Sequence, residues 1–136
     1  MEKVLGIQLL VELYGCEDSS LTKREFVEEA LQVASLKSNT HSIGSFFHQF
    51  HPHGVSGVIV IEESHYTIHT WPEYGYAAVD FFYCSDDVEI DSAINVLKEY
   101  FKPKDIKISK IKRGIVNKEK VLNFKPKIND FEKAVV

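Results

Sequence analysis

Reactive side chains are concentrated in one stretch of the sequence, EESHYTIHTWPEYGYAAVDFFYC, at residues 62–84. It contains a glutamate pair followed by Ser64, the histidines His65 and His69, and Cys84, one of only two cysteines in the chain. A hydroxyl, an imidazole and a thiol can supply a nucleophile, a general base and a general acid. The stretch is therefore the first candidate for an active site.

A conventional serine hydrolase is a poor fit for Ser64. The sequence around it has no GxSxG motif and no strand-to-helix turn of the kind that presents a hydrolase nucleophile. A serine in a strained turn can instead attack the carbonyl of the preceding residue, which converts the Glu63–Ser64 peptide into an ester. A base that removes the Ser64 α-proton would then break the chain by elimination and leave a terminal keto group.

The turn sequence PEYG predicts which residues of the flanking strands face each other. If the chain reverses in the middle of this turn, paired residue numbers sum to roughly 147, so Ser64 lies opposite about Tyr83 and beside Cys84. The preceding turn brings His69 back alongside Ser56 or its neighbour. Cross-strand partners lie about 5 to 8 Å apart. The predicted cluster consists of Ser56, Ser64, His69 and Cys84.

Strands and helices must position these groups. Residues 3–14 mix β-branched and leucine side chains and end at Gly15, which predicts a first strand. A T-x-x-E capping box at Thr22 and Glu25 then predicts a helix. Apolar residues follow it at helical spacing and predict a buried stripe formed by Phe26, Val27, Ala30, Leu31 and Ala34.

The middle of the chain reads as a series of strands. Four apolar stretches, SIGSFFHQF, GVSGVIVIE, HYTIHTW and YAAVDFF, are separated by turn residues and predict an antiparallel meander. A second capping box at Asp86 and Glu89 predicts a second helix that Pro103 ends. DIKISKIK alternates apolar residues with lysine or serine and predicts a last strand.

The element order β-α-β-β-β-β-α-β is typical of an α+β fold. We expect a two-layer sandwich, an antiparallel sheet with two helices on one face. The strands GVSGVIVI and AAVDFFYC are apolar at nearly every position, a pattern typical of strands covered on both sides. A second copy of the chain is the simplest cover for the other face, so the sequence predicts a homodimer.

Length and composition indicate a single domain. The chain has 136 residues, enough for one core, and we place the domain at residues 1–116 with a loosely ordered tail at 117–136. The net charge of −4 provides no basic surface for nucleic acid. No apolar run is long enough for a membrane span, and the N-terminus lacks a signal-peptide pattern, so we expect a cytoplasmic protein.

The sequence resembles a known enzyme family most specifically between Phe47 and Cys84. The runs FHQFHPHGVSGVIVIEES and ESHYTIHTWPE are similar to those of the bacterial and archaeal S-adenosylmethionine decarboxylase proenzymes, which depend on a pyruvoyl group. The opening strand LGIQLLVELYGC also resembles the family's, and the likeness covers roughly residues 4–113. The family commonly has a basic residue and a histidine where this chain has Ile7 and Gln8.

The resemblance implies that the proenzyme cuts itself between Glu63 and Ser64. The products would be a β chain, residues 1–63, and an α chain, residues 64–136, whose first residue becomes the pyruvoyl cofactor. That group would form a Schiff base with S-adenosyl-L-methionine and release carbon dioxide, giving the aminopropyl donor for spermidine synthesis. No metal is implied.

The resemblance also implies roles for five further residues. His69 matches the base that removes the α-proton during processing, and Ser56 matches a hydroxyl that assists it. Cys84 matches the thiol that protonates the carbanion after decarboxylation. Phe50 resembles the aromatic residue that stacks on adenine, and Glu73 the carboxylate that holds the ribose hydroxyls.

Three other functions compete with this interpretation. The departure at Ile7 and Gln8 leaves open a pyruvoyl enzyme for another amino acid, ornithine or arginine. A non-catalytic relative could instead regulate a partner by dimerising with it. A metal site has candidate ligands but no compact zinc-type spacing; these are His48, His51, His53, His65, His69 and Cys84.

Overall fold

A computed structural model describes residues 1–120 of the chain. These residues form six strands and three α-helices, with two short 3-10 helices at Pro72–Tyr74 and Lys118–Lys120. In chain order they are β1 (Glu2–Tyr14), α1 (Asp18–Thr22), α2 (Arg24–Lys37), β2 (Ser42–Gln49), β3 (Val55–Ile61), β4 (Ser64–Trp71), β5 (Tyr76–Tyr83), α3 (Ile90–Phe101) and β6 (Asp105–Asn117).

The strands form a single antiparallel sheet in the order β2-β3-β4-β5-β1-β6. Strands β2 to β5 are the meander expected from the four apolar stretches, and β1 lies between β5 and β6. The prediction of an α+β fold built on an antiparallel sheet is confirmed.

The PEYG turn sets the register between β4 and β5. Pro72 opens a 3-10 turn, and Gly75 closes it with a φ of 60°, a conformation that glycine adopts at little cost. Trp71 therefore pairs with Tyr76, and the pairing continues down the strands to Ser64 and Tyr83. The register predicted from the turn is confirmed.

Alternate strand residues are buried in the core. On β1 these are Leu9, Val11 and Leu13, which are at most 5% exposed. Because successive side chains of a strand point to opposite faces, this spacing buries one face of the sheet. The same core takes in the apolar faces of the helices, including Leu31 of α2 and Leu97 of α3.

The predicted helix starts are wrong. Thr22 does not cap α2, because it belongs to the additional helix α1, where its hydroxyl donates to the carbonyl oxygen of Asp18 at 2.6 Å. Helix α2 begins at Arg24 after Lys23, with no side-chain cap. The third helix starts three residues later than an N-cap at Asp86 would predict.

The loop before α3 explains this second difference. The backbone N–H of Asp87 donates to the Ser85 hydroxyl oxygen at 3.2 Å, so the chain turns before the helix begins. Glu89 is the N-cap, again without a side-chain hydrogen bond, and α3 ends at Phe101, before Pro103 as expected.

In the predicted stripe of α2, Phe26 is 39% exposed and packs edge-to-face with Tyr100.

The residues of the opposite sheet face are half-exposed or exposed. Phe46 and Val60 are 68% and 47% exposed, and His69 and Trp71 are exposed on the same side. A bare sheet face with large apolar side chains is typical of a surface that meets another protein.

The end of the chain departs from the predicted tail. Strand β6 continues through Asn117, beyond the DIKISKIK segment, and residues 118–120 form a 3-10 turn. The rest of the predicted tail lies outside the described residues. Among residues 1–120, no helix combines the length and the apolar character needed to cross a membrane.

Candidate active site

The turn between β3 and β4 consists of two residues, Glu62 and Glu63. Ile61 pairs with Ser64 across it, so Ser64 is the first residue of β4. Ser64 has a φ of 142°, which residues other than glycine rarely adopt. Such a conformation costs about 1–3 kcal/mol and persists only when its surroundings hold it. The Glu63–Ser64 peptide bond therefore directly precedes a residue with a strained backbone.

The end of β5 contacts this peptide directly. The backbone N–H of Cys84 donates to the carbonyl oxygen of Glu63 at 2.9 Å. The Cys84 thiol is free and exposed, whereas burial raises the pKa of Cys16 to about 11. Cys84 also lines a cavity of about 300 Å³ with residues of β1, including Ile7. Of the two cysteines, Cys84 is the one placed for chemistry.

A second group of polar residues lies farther along the same hairpin. Ser56 pairs with His69, as predicted, and Ser56 Oγ and His69 Nδ1 share a hydrogen bond of 2.7 Å. Together they line a cavity of about 250 Å³ with Phe50, Trp71 and Glu73. Four of the predicted site residues thus meet in one place.

Glu73 has a histidine neighbour in this cavity. Its Oε1 lies 3.5 Å from Nε2 of His53, which also lines the cavity. The two aromatic rings beside it, Phe50 and Trp71, are 46% and 40% exposed. This cavity therefore offers a carboxylate and two accessible aromatic faces, a combination suited to a ligand with hydroxyl groups and a cationic or aromatic part.

The two groups do not meet within one chain, although the sequence predicted that they converge. Ser64 and His69 are five positions apart on β4, about 16 Å along an extended strand. The structure brings together Ser56 with His69, and the carbonyl of Glu63, next to Ser64, with the backbone N–H of Cys84, as two separate groups.

Sequence reasoning missed a contact at the β3–β4 turn. Nδ1 of His41 lies 2.7 Å from Oε2 of Glu63, and the backbone N–H of His41 donates to Oε1 at 3.0 Å. The hydrogen bond to Glu63 raises the pKa of His41. Burial favours the neutral form of Glu63, but the hydrogen bonds from His41 outweigh it and lower the pKa of this carboxyl.

The possible metal ligands that the structure brings together are not those considered from the sequence. In the described part of the chain, the group of three that could surround a cation is His41, Glu62 and Glu63. The histidines weighed from the sequence do not enter it. Both carboxylate oxygens of Glu63 are already hydrogen-bonded to His41, which accounts for this cluster without a cation.

The residues that depart from the family pattern lie on β1. Ile7 lines the cavity beside Cys84. Gln8 accepts a hydrogen bond of 2.6 Å from Nη1 of Arg113, whose guanidinium lies over the ring of Phe82.

A larger cavity of about 580 Å³, lined by residues including Glu17, Phe26 and Tyr100, contains none of the predicted site residues.

Comparisons with known proteins agree with these observations. Residues 7–114 match the family model described as S-adenosylmethionine decarboxylase. The S-adenosylmethionine decarboxylase proenzyme of Clostridium tetani is 47% identical over 111 residues, covering 82% of this chain and 88% of the relative. That of Acidithiobacillus ferrooxidans is 43% identical over 113 residues, covering 83% and 85%.

A solved structure is also similar. The adenosylmethionine decarboxylase from Aquifex aeolicus superimposes with a TM-score of 0.81 at 37% identity, covering 88% of this chain and 99% of that one. The chain belongs to the S-adenosylmethionine decarboxylase family.

Proposed function

We propose that this chain is a decarboxylase of S-adenosyl-L-methionine that first cuts itself between Glu63 and Ser64. The main support is the geometry of that one bond: Ser64 has a φ of 142°, and the Glu63 carbonyl accepts a hydrogen bond from the amide of Cys84. The family match and the relatives named proenzymes support self-processing. Ser64 would thereby become a terminal pyruvoyl group.

The residues around Ser64 fit the formation of such a group. Attack of Ser64 Oγ on the Glu63 carbonyl carbon places negative charge on the carbonyl oxygen, where the Cys84 N–H already donates. Transfer of the acyl group from nitrogen to oxygen gives an ester. Removal of the Ser64 α-proton then breaks the ester C–O bond, and hydrolysis of the resulting enamine releases ammonia.

His69 is assigned as the base that removes the α-proton of Ser64. Ser56 shares a 2.7 Å hydrogen bond with Nδ1, which orients the ring. Within one chain His69 is too far from Ser64, so the proposal requires the His69 of a second copy. We therefore propose a homodimer in which the open sheet faces meet, the helices cover the outer faces, and each half-site completes the partner's.

Turnover uses both half-sites. A pyruvoyl group at position 64 would supply a carbonyl able to capture the substrate amine and to accept the electron pair left by decarboxylation. Cys84 is assigned as the acid that returns a proton to that carbon. Phe50 is assigned to the adenine ring and Glu73 to the ribose hydroxyls, since both line the cavity beside His69. The aromatic faces there also suit the sulfonium cation.

The alternative functions have less support. The relatives are named for S-adenosylmethionine, so a decarboxylase of ornithine or arginine is not favoured. A regulatory relative without activity would not need Ser64, His69 and Cys84 together. A cytoplasmic location remains our expectation.

Release of carbon dioxide from carboxyl-labelled substrates tests the proposal. The purified protein is incubated in parallel with S-adenosylmethionine, ornithine and arginine, and the Ser64→Ala variant serves as the control for each. We expect release from S-adenosylmethionine alone, and only with Ser64 present. Release from ornithine or arginine, with none from S-adenosylmethionine, would overturn the assigned substrate.

A further inference from the structure

The contacts of His41 extend to both residues of the β3–β4 turn. The backbone N–H of Glu62 donates to the carbonyl oxygen of His41 at 2.9 Å. The N–H and the ring Nδ1 of His41 contact the two carboxylate oxygens of Glu63, at 3.0 and 2.7 Å. His41 thus makes three hydrogen bonds to the two residues that precede Ser64.

We infer that His41 is a positioning residue for self-cleavage, an inference that rests on the proposed function. It holds the side chain of Glu63, while the amide of Cys84 holds the carbonyl of the same residue. Fixing Glu63 on both sides of its Cα restricts rotation of the Glu63–Ser64 peptide. The carbonyl carbon then stays in the orientation that the Ser64 hydroxyl must attack.

Burial makes the carboxylate dependent on this partner. The side chain of Glu63 is 13% exposed, whereas those of Glu62 and His41 are 68% and 63% exposed. A mostly buried carboxylate is costly unless it is hydrogen-bonded, and both of its oxygens are bonded to His41. Without the imidazole, Oε2 loses its partner and the carboxylate gains by moving toward solvent, which leaves the turn freer to rotate.

Rotation of the turn would affect the backbone strain at Ser64. A residue with a φ of 142° returns to a more favourable conformation unless neighbouring contacts hold it in place. The turn is short, so any rotation at Glu63 is passed directly to the next residue. Loss of the imidazole is therefore expected to relax Ser64 and slow the attack, while the rest of the sheet keeps its pairing.

The test follows chain cleavage over time in protein made by cell-free synthesis, so that the uncut chain is present at the start. Three variants are compared with the wild type: His41→Ala, His41→Asn and Asn39→Gly. Asparagine places an N–H donor close to the position of Nδ1. Asn39 lies in the same loop at a φ of 62°, and its side chain donates to the carbonyl of Asp87 rather than to the turn.

We expect His41→Ala to cleave roughly tenfold more slowly, the effect of losing one strong hydrogen bond. His41→Asn should recover most of the rate, and Asn39→Gly should cleave like the wild type. Wild-type cleavage in His41→Ala, no recovery in His41→Asn, or an equal loss in Asn39→Gly would each overturn the inference. A wild type that never cleaves would instead refute the proposed function.

Discussion

The amide nitrogen of Cys84 lies 2.9 Å from the carbonyl oxygen of Glu63. This contact comes from the backbone, whereas the reactivity of Cys84 comes from its thiol. We therefore propose two separable functions for one residue: its N–H stabilises charge on the Glu63 oxygen during chain cleavage, and its Sγ is the acid during turnover.

Substitution of the thiol separates the two. Cys84→Ala retains the N–H, so the chain should still be cut, though more slowly, while release of decarboxylated product falls by roughly a hundredfold or more through loss of the proton donor. Cleavage is followed by gel electrophoresis and turnover by product analysis. Wild-type turnover in this variant would assign the acid to another residue.

A mixed dimer tests whether the half-sites come from different chains. Ser64→Ala and His69→Ala are each expected to remain uncut when expressed alone. When they are co-expressed in equal amounts, about half of the Ser64-bearing chains should find a partner with an intact His69 and be cleaved. Intact-mass spectrometry counts the products. A co-expressed pair that stays uncut would show that the site is not shared in this way.

Gly57 is expected to be essential for packing. It pairs with Phe47, and a methyl group at Gly57 would collide with the Phe47 ring. Gly57→Ala should therefore lower the free energy of unfolding by about 1–3 kcal/mol. Gly44→Ala is the matched control on β2, since a methyl group there meets no atom within 4 Å. Urea denaturation of both variants measures the difference, and equal stability would contradict the packing described here.

The His41–Glu63 pair predicts a dependence of stability on pH. The pKa of His41 is raised above its ordinary 6.5 by Glu63 and by the nearby charge of Glu62. Its contribution is therefore complete below pH 6.5 and is lost as the pH rises through the raised value. The pKa of Glu63 is lowered, so its contribution is lost only in acid, as the pH falls through that lowered value.

The uncut Ser64→Ala protein allows this to be measured on a single species. The free energy of unfolding is compared with that of the Ser64→Ala/His41→Ala double variant between about pH 6 and pH 8.5, around the ordinary histidine pKa. The stability difference in favour of His41 should shrink as the pH rises. A difference that stays constant, or grows, would contradict a protonated His41 bound to Glu63.

The sequence predicted the strand register more accurately than the helix starts. Once the turn of a hairpin is located, the register between its two strands follows. The PEYG turn was therefore enough to pair Ser64 with Tyr83. A capping box depends instead on which hydrogen bond a short side chain makes. The hydroxyl of Thr22 bonds within α1, and no local pattern distinguishes that outcome from a cap.

The sequence predicted some of the contacts at the candidate site but not how its residues are grouped. The Ser56–His69 pairing followed from the hairpin, whereas the separation of His69 from Ser64 depends on β4 running unbroken from Ser64 to Trp71. His41 gave no signal in the sequence. It follows α2 and a short loop, and only the folded sheet brings it to Glu63.

Cleavage of the Glu63–Ser64 peptide bond is the central step of the proposed function. Intact-mass spectrometry of freshly purified protein should find two chains, residues 1–63 and residues 64–136, and the second should gain the mass of a hydrazine reagent at its terminal ketone. The Ser64→Ala variant should give one chain that does not react. A wild-type protein that remains one unreactive chain of 136 residues would contradict self-cleavage and the pyruvoyl group.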